Sequence, residues 1–193
     1  MDTNFQILTD RLILRPIRID DADLIFNYRS DTFVNQYQGW IPKSVEEVRD
    51  FINYKVSFEI TLPGTWYQFV ILQKDNGNLI GDIGIHFLNV DDFQVEIGCT
   101  LDKHYHNSGF ATEALTSTIG FLFNKLNKRR IIASIDPRND SSIKLMERLG
   151  FRKEAHFKES ILINNEWVDD LVYAVLKDEW SNSLTRNDVP NNR

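Results

Sequence analysis

Midway along the chain the apolar residues change their spacing, and that change restricts the fold more than any other feature. Phe93 to Leu101 reads as a strand, and a short polar loop follows it. From Gly109 onward Ala111, Ala114, Leu115, Thr118, Ile119, Leu122, Phe123 and Leu126 recur at helical spacing, which predicts a helix with one apolar face packed on a sheet. At such a junction the first backbone N–H groups of the helix have no intrahelical partner, and the summed peptide dipoles place roughly half a positive charge there. Gly109 has no side chain to hold a ligand off that backbone, and Ala111 adds only a methyl group. The junction therefore reads as an anion cradle, although a glycine before a helix can also serve only to relieve a turn.

The remaining elements predict an α+β layout. Arg11 to Ile17 reads as a first strand buried on both faces, and Asp20 or Asp21 caps a short helix carrying Ala22, Leu24, Ile25 and Tyr28. Asn35 to Pro42 is a polar and aromatic loop. Ser44 and Glu47 form a capping box for a second helix, whose apolar spacing continues through Val56 until Pro63 and Gly64. Trp66 to Gln73, Leu79 to Leu88 and Phe93 to Leu101 make three antiparallel strands, with turns around Gly77 and at Asp91 and Asp92. A crossover through the Gly109 helix makes Arg130 to Ile135 a parallel neighbour. Asn139 or Asp140 then caps a helix with Ile143, Met146 and Leu149 inward and Gly150 as a left-handed C-cap. Arg152 to Ile163 and Glu166 to Leu176, turned at Asn164 and Asn165, close the sheet as a hairpin.

A length of 193 residues suits one domain, expected over 1–180, with a mobile tail over 181–193. The formal charge of −6 argues against nucleic acid as the main partner and favours an amine-bearing one. Cys99 is the sole cysteine, which excludes an internal disulfide or a thiolate metal site and suits a reducing compartment. Met1 to Gln6 lack a signal-peptide pattern and no apolar run reaches membrane-spanning length, so the expected location is cytoplasmic, with no membrane partner. His86, His104, His106 and His156 are too scattered to suggest a metal site.

His106, Asn107, Ser108, Gly109, Phe110 and Ala111 fit the pattern Gln/Arg-x-x-Gly-x-Gly/Ala, followed by Thr112, Glu113 and Ala114. A second block contains Asn139, Ser142, Leu145, Met146, Glu147, Leu149, Gly150 and Phe151. With the order of elements from Gln6 to Trp180, these blocks resemble the GNAT superfamily of acetyl-CoA-dependent N-acetyltransferases, most of all its ribosomal-protein-alanine acetyltransferase branch. The resemblance implies a mostly antiparallel twisted sheet whose fourth and fifth strands splay apart, with acetyl-CoA in the gap and no metal. It implies that the backbone N–H of Cys99, beside a bulge relaxed by Gly98, stabilises the thioester oxygen. Leu101 then pairs with the pantetheine arm. The diphosphate lies along His106, Asn107, Ser108, Gly109, Phe110, Ala111 and Thr112. Asn139 is expected to bond the pantetheine arm, or only to cap its helix, and Ser142 to contact the sulfur, or only to serve the helix backbone. The acceptor is walled by Tyr37, Trp40 and Trp167, with Asp169 and Asp170 nearby.

Transfer to an amine requires a base, because a lysine-like ammonium holds its proton to a pKa of about 10.4. Glu96 is the candidate, lying just ahead of the thioester position and sharing a face with Gly98 and Thr100 by alternation. The thiol of Cys99 reads as a small buried group rather than a nucleophile. Where many relatives carry a proton-donating tyrosine, Met146 stands, and a thioether cannot donate. His106, Asn107 and Ser108 replace the usual glutamine or arginine, a glycine and a basic residue, which predicts modest cofactor affinity with weak salt dependence. The leading expectation is direct acetyl transfer to a primary amine, a protein α-amino group or a small molecule such as an antibiotic or polyamine. A CoA-binding module without catalysis is the rival, and the sequence leaves monomer or homodimer open.

Overall fold

The computed structural model describes residues 5–88, 93–163 and 165–180. Its strands are β1 (Ile7–Leu8), β2 (Leu12–Pro16), β3 (Thr65–Gln73), β4 (Leu79–Phe87), β5 (Gln94–Leu101), β6 (Arg130–Ile135), β7 (Arg152–Ile163) and β8 (Glu166–Leu176). They form one 8-stranded sheet in the order β1-β2-β3-β4-β5-β6-β8-β7. Only β5 and β6 pair in parallel, as expected of a crossover connection. The helices are α1 (Ala22–Arg29), α2 (Thr32–Asn35), α3 (Val45–Tyr54), α4 (Phe110–Asn124) and α5 (Asp140–Arg148). No helix among the described residues is long and apolar enough to cross a membrane. The expected turn at Asp91 and Asp92, the turn residue Asn164 and the tail over 181–193 lie outside the described residues.

Each face of the sheet has its own apolar cluster. On one face α4 buries Ala114, Leu115, Ile119, Leu122 and Phe123 against Leu14, Phe69, Ile83, Ile85 and Val95, with Met146 and Leu149 of α5 joining them. On the other, Ile25 and Tyr28 of α1 and Val48 and Ile52 of α3 meet Ile17 and Val70. Gly150 takes a φ of +82°, the left-handed cap that ends α5.

Several local expectations need correction. β2 is fully buried on one face only, through Leu12 and Leu14, because it lies near the sheet edge. Asp21 does not cap α1 with its side chain, since its carboxylate is taken by Arg15 (2.7 Å) and the Arg18 N–H (2.7 Å). Ser44 caps α3 through the Glu47 N–H (3.2 Å), but Glu47 reaches back to Lys43 rather than to Ser44. That helix ends at Tyr54, and Val56 leaves it to bridge Trp66. Likewise α4 stops at Asn124, before Leu126, and Asp31 caps an unexpected helical turn, α2, inside the region read as loop.

The β5–β6 pair matters most for the site. It holds only at Gln94↔Arg130, Val95↔Ile131 and Glu96↔Ile132, after which the strands diverge. The β4–β5 register runs without interruption from Gly81↔Leu101 to Phe87↔Val95, so the bulge expected beside Cys99 is absent from this pairing. That unbroken register sets the direction of every amide along β5. The Asp102 N–H donates to Ile80 O (2.9 Å), while Phe93 O accepts from the Arg129 N–H (2.8 Å) on the opposite edge. Even-numbered residues of β5 therefore bond to β4, and the N–H and C=O groups of Cys99 and Leu101 aim into the gap left by β6.

Candidate active site

The cradle is built from two left-handed residues and a helix end. Asn107 (φ +59°) and Gly109 (φ +79°) turn the chain so that α4 starts at Phe110. Gly109 O accepts the first helical bond from the Glu113 N–H (3.0 Å), which leaves the Phe110, Ala111 and Thr112 N–H groups without intrahelical partners. A Cβ on Gly109 would meet only Arg11 Nη2, at 3.4 Å. Glycine is needed there for its φ rather than for space. Glu113 anchors the arrangement by accepting from Thr9 Oγ1 (2.6 Å), the Arg11 N–H (2.8 Å) and Arg11 Nε (2.6 Å). Arg11 also donates to Ser108 O (3.0 Å) and lies 4.3 Å from the Phe110 ring centroid.

A cleft of about 630 Å³ opens at this end, lined by Cys99, Leu101, His106, Asn107, Gly109, Phe110, Ala111, Thr112, Asn139 and Ser142. Nearly every residue expected to hold the cofactor is thus brought together. Ser108 is the exception, being exposed, with its carbonyl spent on Arg11. His106 Nε2 lies 3.0 Å from Leu101 O, so the imidazole braces the loop against β5 and leaves that carbonyl one further lone pair. Lys144 and Arg148, one helical turn apart on α5, line the same cleft, and Arg148 Nη1 donates to Thr112 Oγ1 (3.3 Å). These cations put positive charge on the cleft wall beside the start of α4.

Asn139 caps α5 by accepting from the Ser142 N–H (3.1 Å). The Ser142 hydroxyl is left without a hydrogen bond to any described residue and faces both clefts of the site. The second cleft, of about 390 Å³, is lined by Tyr37, Trp40, Trp66, Glu96, Met146, Asp169 and Asp170 among others. It meets the first at Gln38, Cys99, Thr100, Asn139, Ser142 and Leu145. Trp40 stacks on Phe51 with centroids 4.5 Å apart. Trp167 is 59% exposed and lines neither cleft; Val168, Asp169 and Asp170 of β8 take the place expected of it.

Charges around the second cleft are unevenly balanced. Asp82, 1% exposed, accepts from Tyr28, Gln68 and both ends of the Arg29 guanidinium, including Nε at 2.8 Å. Asp136 pairs with Arg138 (2.7 Å). Asp169 pairs with Lys158 (2.8 Å) and His156 (2.7 Å), which hold its carboxyl far below the ordinary range. Among the described residues Asp170 has only the Ser134 hydroxyl (2.7 Å), and Glu96 only His86, with Nδ1 at 3.6 Å. Burial raises the Glu96 carboxyl above the usual glutamate value; His86 opposes the rise and Asp170 adds to it. Burial likewise pushes the Cys99 thiol up to about 12, so it stays protonated and inert at neutral pH.

Arg11, Lys144, Arg148, Arg29 and Asp82 went unnoticed in the sequence. The spacing of Lys144 and Arg148 on a short amphipathic helix was a usable signal. Nothing local points to the Arg29 and Asp82 pair, whose members lie on different elements.

Comparison with known proteins gives the same direction. A family model described as an acetyltransferase (GNAT) domain matches residues 11–152. The chain is 32% identical over 176 residues to an uncharacterized N-acetyltransferase of Bacillus licheniformis, covering 91% of this chain and 98% of that one. To the ribosomal protein uS5-alanine N-acetyltransferase of Escherichia coli it is 26% identical, covering 91% and 93%. A GNAT-family acetyltransferase structure from Bacillus anthracis matches with a TM-score of 0.79 at 30% identity, covering 90% and 99%. The spermidine N-acetyltransferase of Vibrio cholerae, solved with CoA and spermine, shares the fold at a TM-score of 0.76 and 22% identity, covering 88% and 98%. With its mixed sheet, splayed strand pair and glycine-led helix, the chain belongs to the GNAT family of acetyl-CoA-dependent N-acetyltransferases.

Proposed function

We propose that the first cleft takes acetyl-CoA and the second a cationic primary amine, and that the acetyl group passes directly between them. The observation that carries this reading is the junction of the two clefts at Cys99, Asn139 and Ser142, where β5 aims an unpaired backbone N–H into the gap. In this reading the N–H groups of Phe110, Ala111 and Thr112 hold the diphosphate, with Lys144 and Arg148 adding positive charge. The Cys99 N–H faces the thioester oxygen and strengthens its bond as negative charge builds there. Glu96 takes the proton of the attacking amine, and Ser142 donates to the departing sulfur where Met146 cannot.

Glu96 and Asp170 line the acceptor cleft, and Asp170 is held by the neutral Ser134 hydroxyl rather than by a cation, which favours a positively charged amine. A protein α-amino group and a small polyamine both satisfy that requirement, and the relatives include an enzyme of each kind. The single cysteine and the acidic composition suit work in a reducing cytoplasm. Thiol release from acetyl-CoA across a panel of peptides, polyamines and amino-sugar antibiotics tests the proposal. Release with one of these classes is the expected result. Tight CoA binding with no release from any of them contradicts it and favours a binding module.

A further inference from the structure

Glu96 meets the acceptor cleft with a second titratable side chain beside it. His86 lies directly opposite Glu96 across the β4–β5 pair, so both side chains emerge on one face of the sheet. The His86 ring stacks on Trp66 with centroids 4.7 Å apart and planes 8° from parallel, which fixes the ring plane. Its Nδ1 then sits 3.6 Å from Glu96 Oε2, within ion-pair range and slightly beyond a hydrogen bond. Trp66 and Glu96 line the cleft, whereas 27% of the His86 side chain reaches solvent.

We propose that His86 is a positioning residue for acetyl transfer: held by Trp66, it aims the Glu96 carboxylate and keeps a ring nitrogen against it when an acceptor seals the cleft. The inference rests on Glu96 acting as the base. In the step it supports, the amine nitrogen forms a bond to the acetyl carbon and the thioester C–S bond breaks. One ammonium proton moves to Glu96 and frees the lone pair, the second leaves the nitrogen to solvent after attack, the sulfur leaves with its electron pair and is protonated by Ser142 or solvent, and nothing is oxidised or reduced. A serine that has given its proton recovers it from solvent.

On β8, Asp170 opposes ionisation of Glu96, and on α1 the Arg29 charge is taken up by Asp82. Trp66 and Gln68 of β3 bring no charge. His86 is therefore the described neighbour that favours the ionised base.

The test compares His86→Phe, which keeps an aromatic ring on Trp66, with His86→Gln, which keeps an N–H donor without the ring. The acid limb of the kcat profile in His86→Phe is expected to move up by about one pH unit, since a tenfold change in ionised fraction corresponds to one unit. kcat then falls about tenfold on that limb and recovers at high pH, with the acceptor KM within about twofold. His86→Gln is expected between the two. An unmoved acid limb in a folded His86→Phe protein overturns the proposal. Carbon-13 NMR of the Glu96 carboxyl gives a readout that needs no turnover: its midpoint is expected to rise in His86→Phe, and an unchanged midpoint overturns the proposal. If the wild type releases no thiol with any acceptor, the transfer reading fails, and the carboxyl titration still decides the His86 question.

Discussion

Replacing Gly109 with alanine separates the stability of the cradle from its binding function. Gly109 holds φ +79° and ψ −2°, a conformation that costs an L-residue roughly 1–2 kcal/mol. The new Cβ meets nothing closer than Arg11 Nη2 at 3.4 Å, an ordinary contact, so the penalty is one of backbone conformation rather than collision. For a chain of this size that corresponds to a Tm lower by about 2–8 °C. Relief of the strain rotates the Phe110 to Thr112 N–H groups away from a common point, and each charge-assisted bond lost costs about 1.5–3 kcal/mol. CoA affinity by titration calorimetry should then fall about 10- to 100-fold, while pantetheine, which lacks the diphosphate, binds as before. Gly109→Asn, whose side chain tolerates the left-handed region, should recover much of both losses. A Gly109→Ala protein with a lowered Tm and CoA affinity within about twofold of wild type would refute the reasoning.

Lys144→Ala with Arg148→Ala should weaken CoA binding and flatten its salt dependence, because these residues bring the charge that the His106 loop lacks; a wild-type affinity already insensitive to salt between about 0.05 and 0.5 M contradicts their role. Asp82→Asn strands the buried Arg29 charge and should cost about 3–5 kcal/mol in urea unfolding, whereas a loss below about 1 kcal/mol means the cluster is not held as described. Glu96→Gln should slow transfer far more than it weakens acetyl-CoA binding. Because the folded protein raises the Glu96 pKa, this group's stabilising contribution is complete below its unfolded value and is lost as pH rises through the folded one. Glu96→Gln should therefore raise Tm at pH 7 relative to wild type and lose that advantage near pH 4. The opposite order would show that the carboxylate is stabilised in the fold.

Local chemistry made much of this legible in advance. The boundaries of β6, β7 and β8, the Asn139 cap, the left-handed Gly150 and the anion-ready start of α4 all follow from residues a few positions apart, where periodicity and capping act. The features that escaped depend on distant partners. β1 is a two-residue strand that exists only because Leu14 and Ile13 lie opposite it. Trp167 was placed in the acceptor wall by family resemblance, yet its side chain is exposed and the cleft is lined by Val168, Asp169 and Asp170 further along β8. Arg11 reaches Ser108 and Glu113 across about a hundred positions of sequence, and the Tyr28, Arg29, Gln68 and Asp82 cluster joins three elements. The divergence of β5 from β6 after Glu96 came from family resemblance, since strand periodicity carries no information about where pairing stops.

Amide chemical-shift mapping during a CoA titration bears on the cradle and the splayed strands at once. The N–H signals of Gly109 to Thr112 should move together with those of Cys99 and Leu101, joining the helix end to the gap in the sheet. Shifts confined to other surfaces, or movement at α4 with β5 silent, would place the thioester away from Cys99 and contradict the transfer geometry.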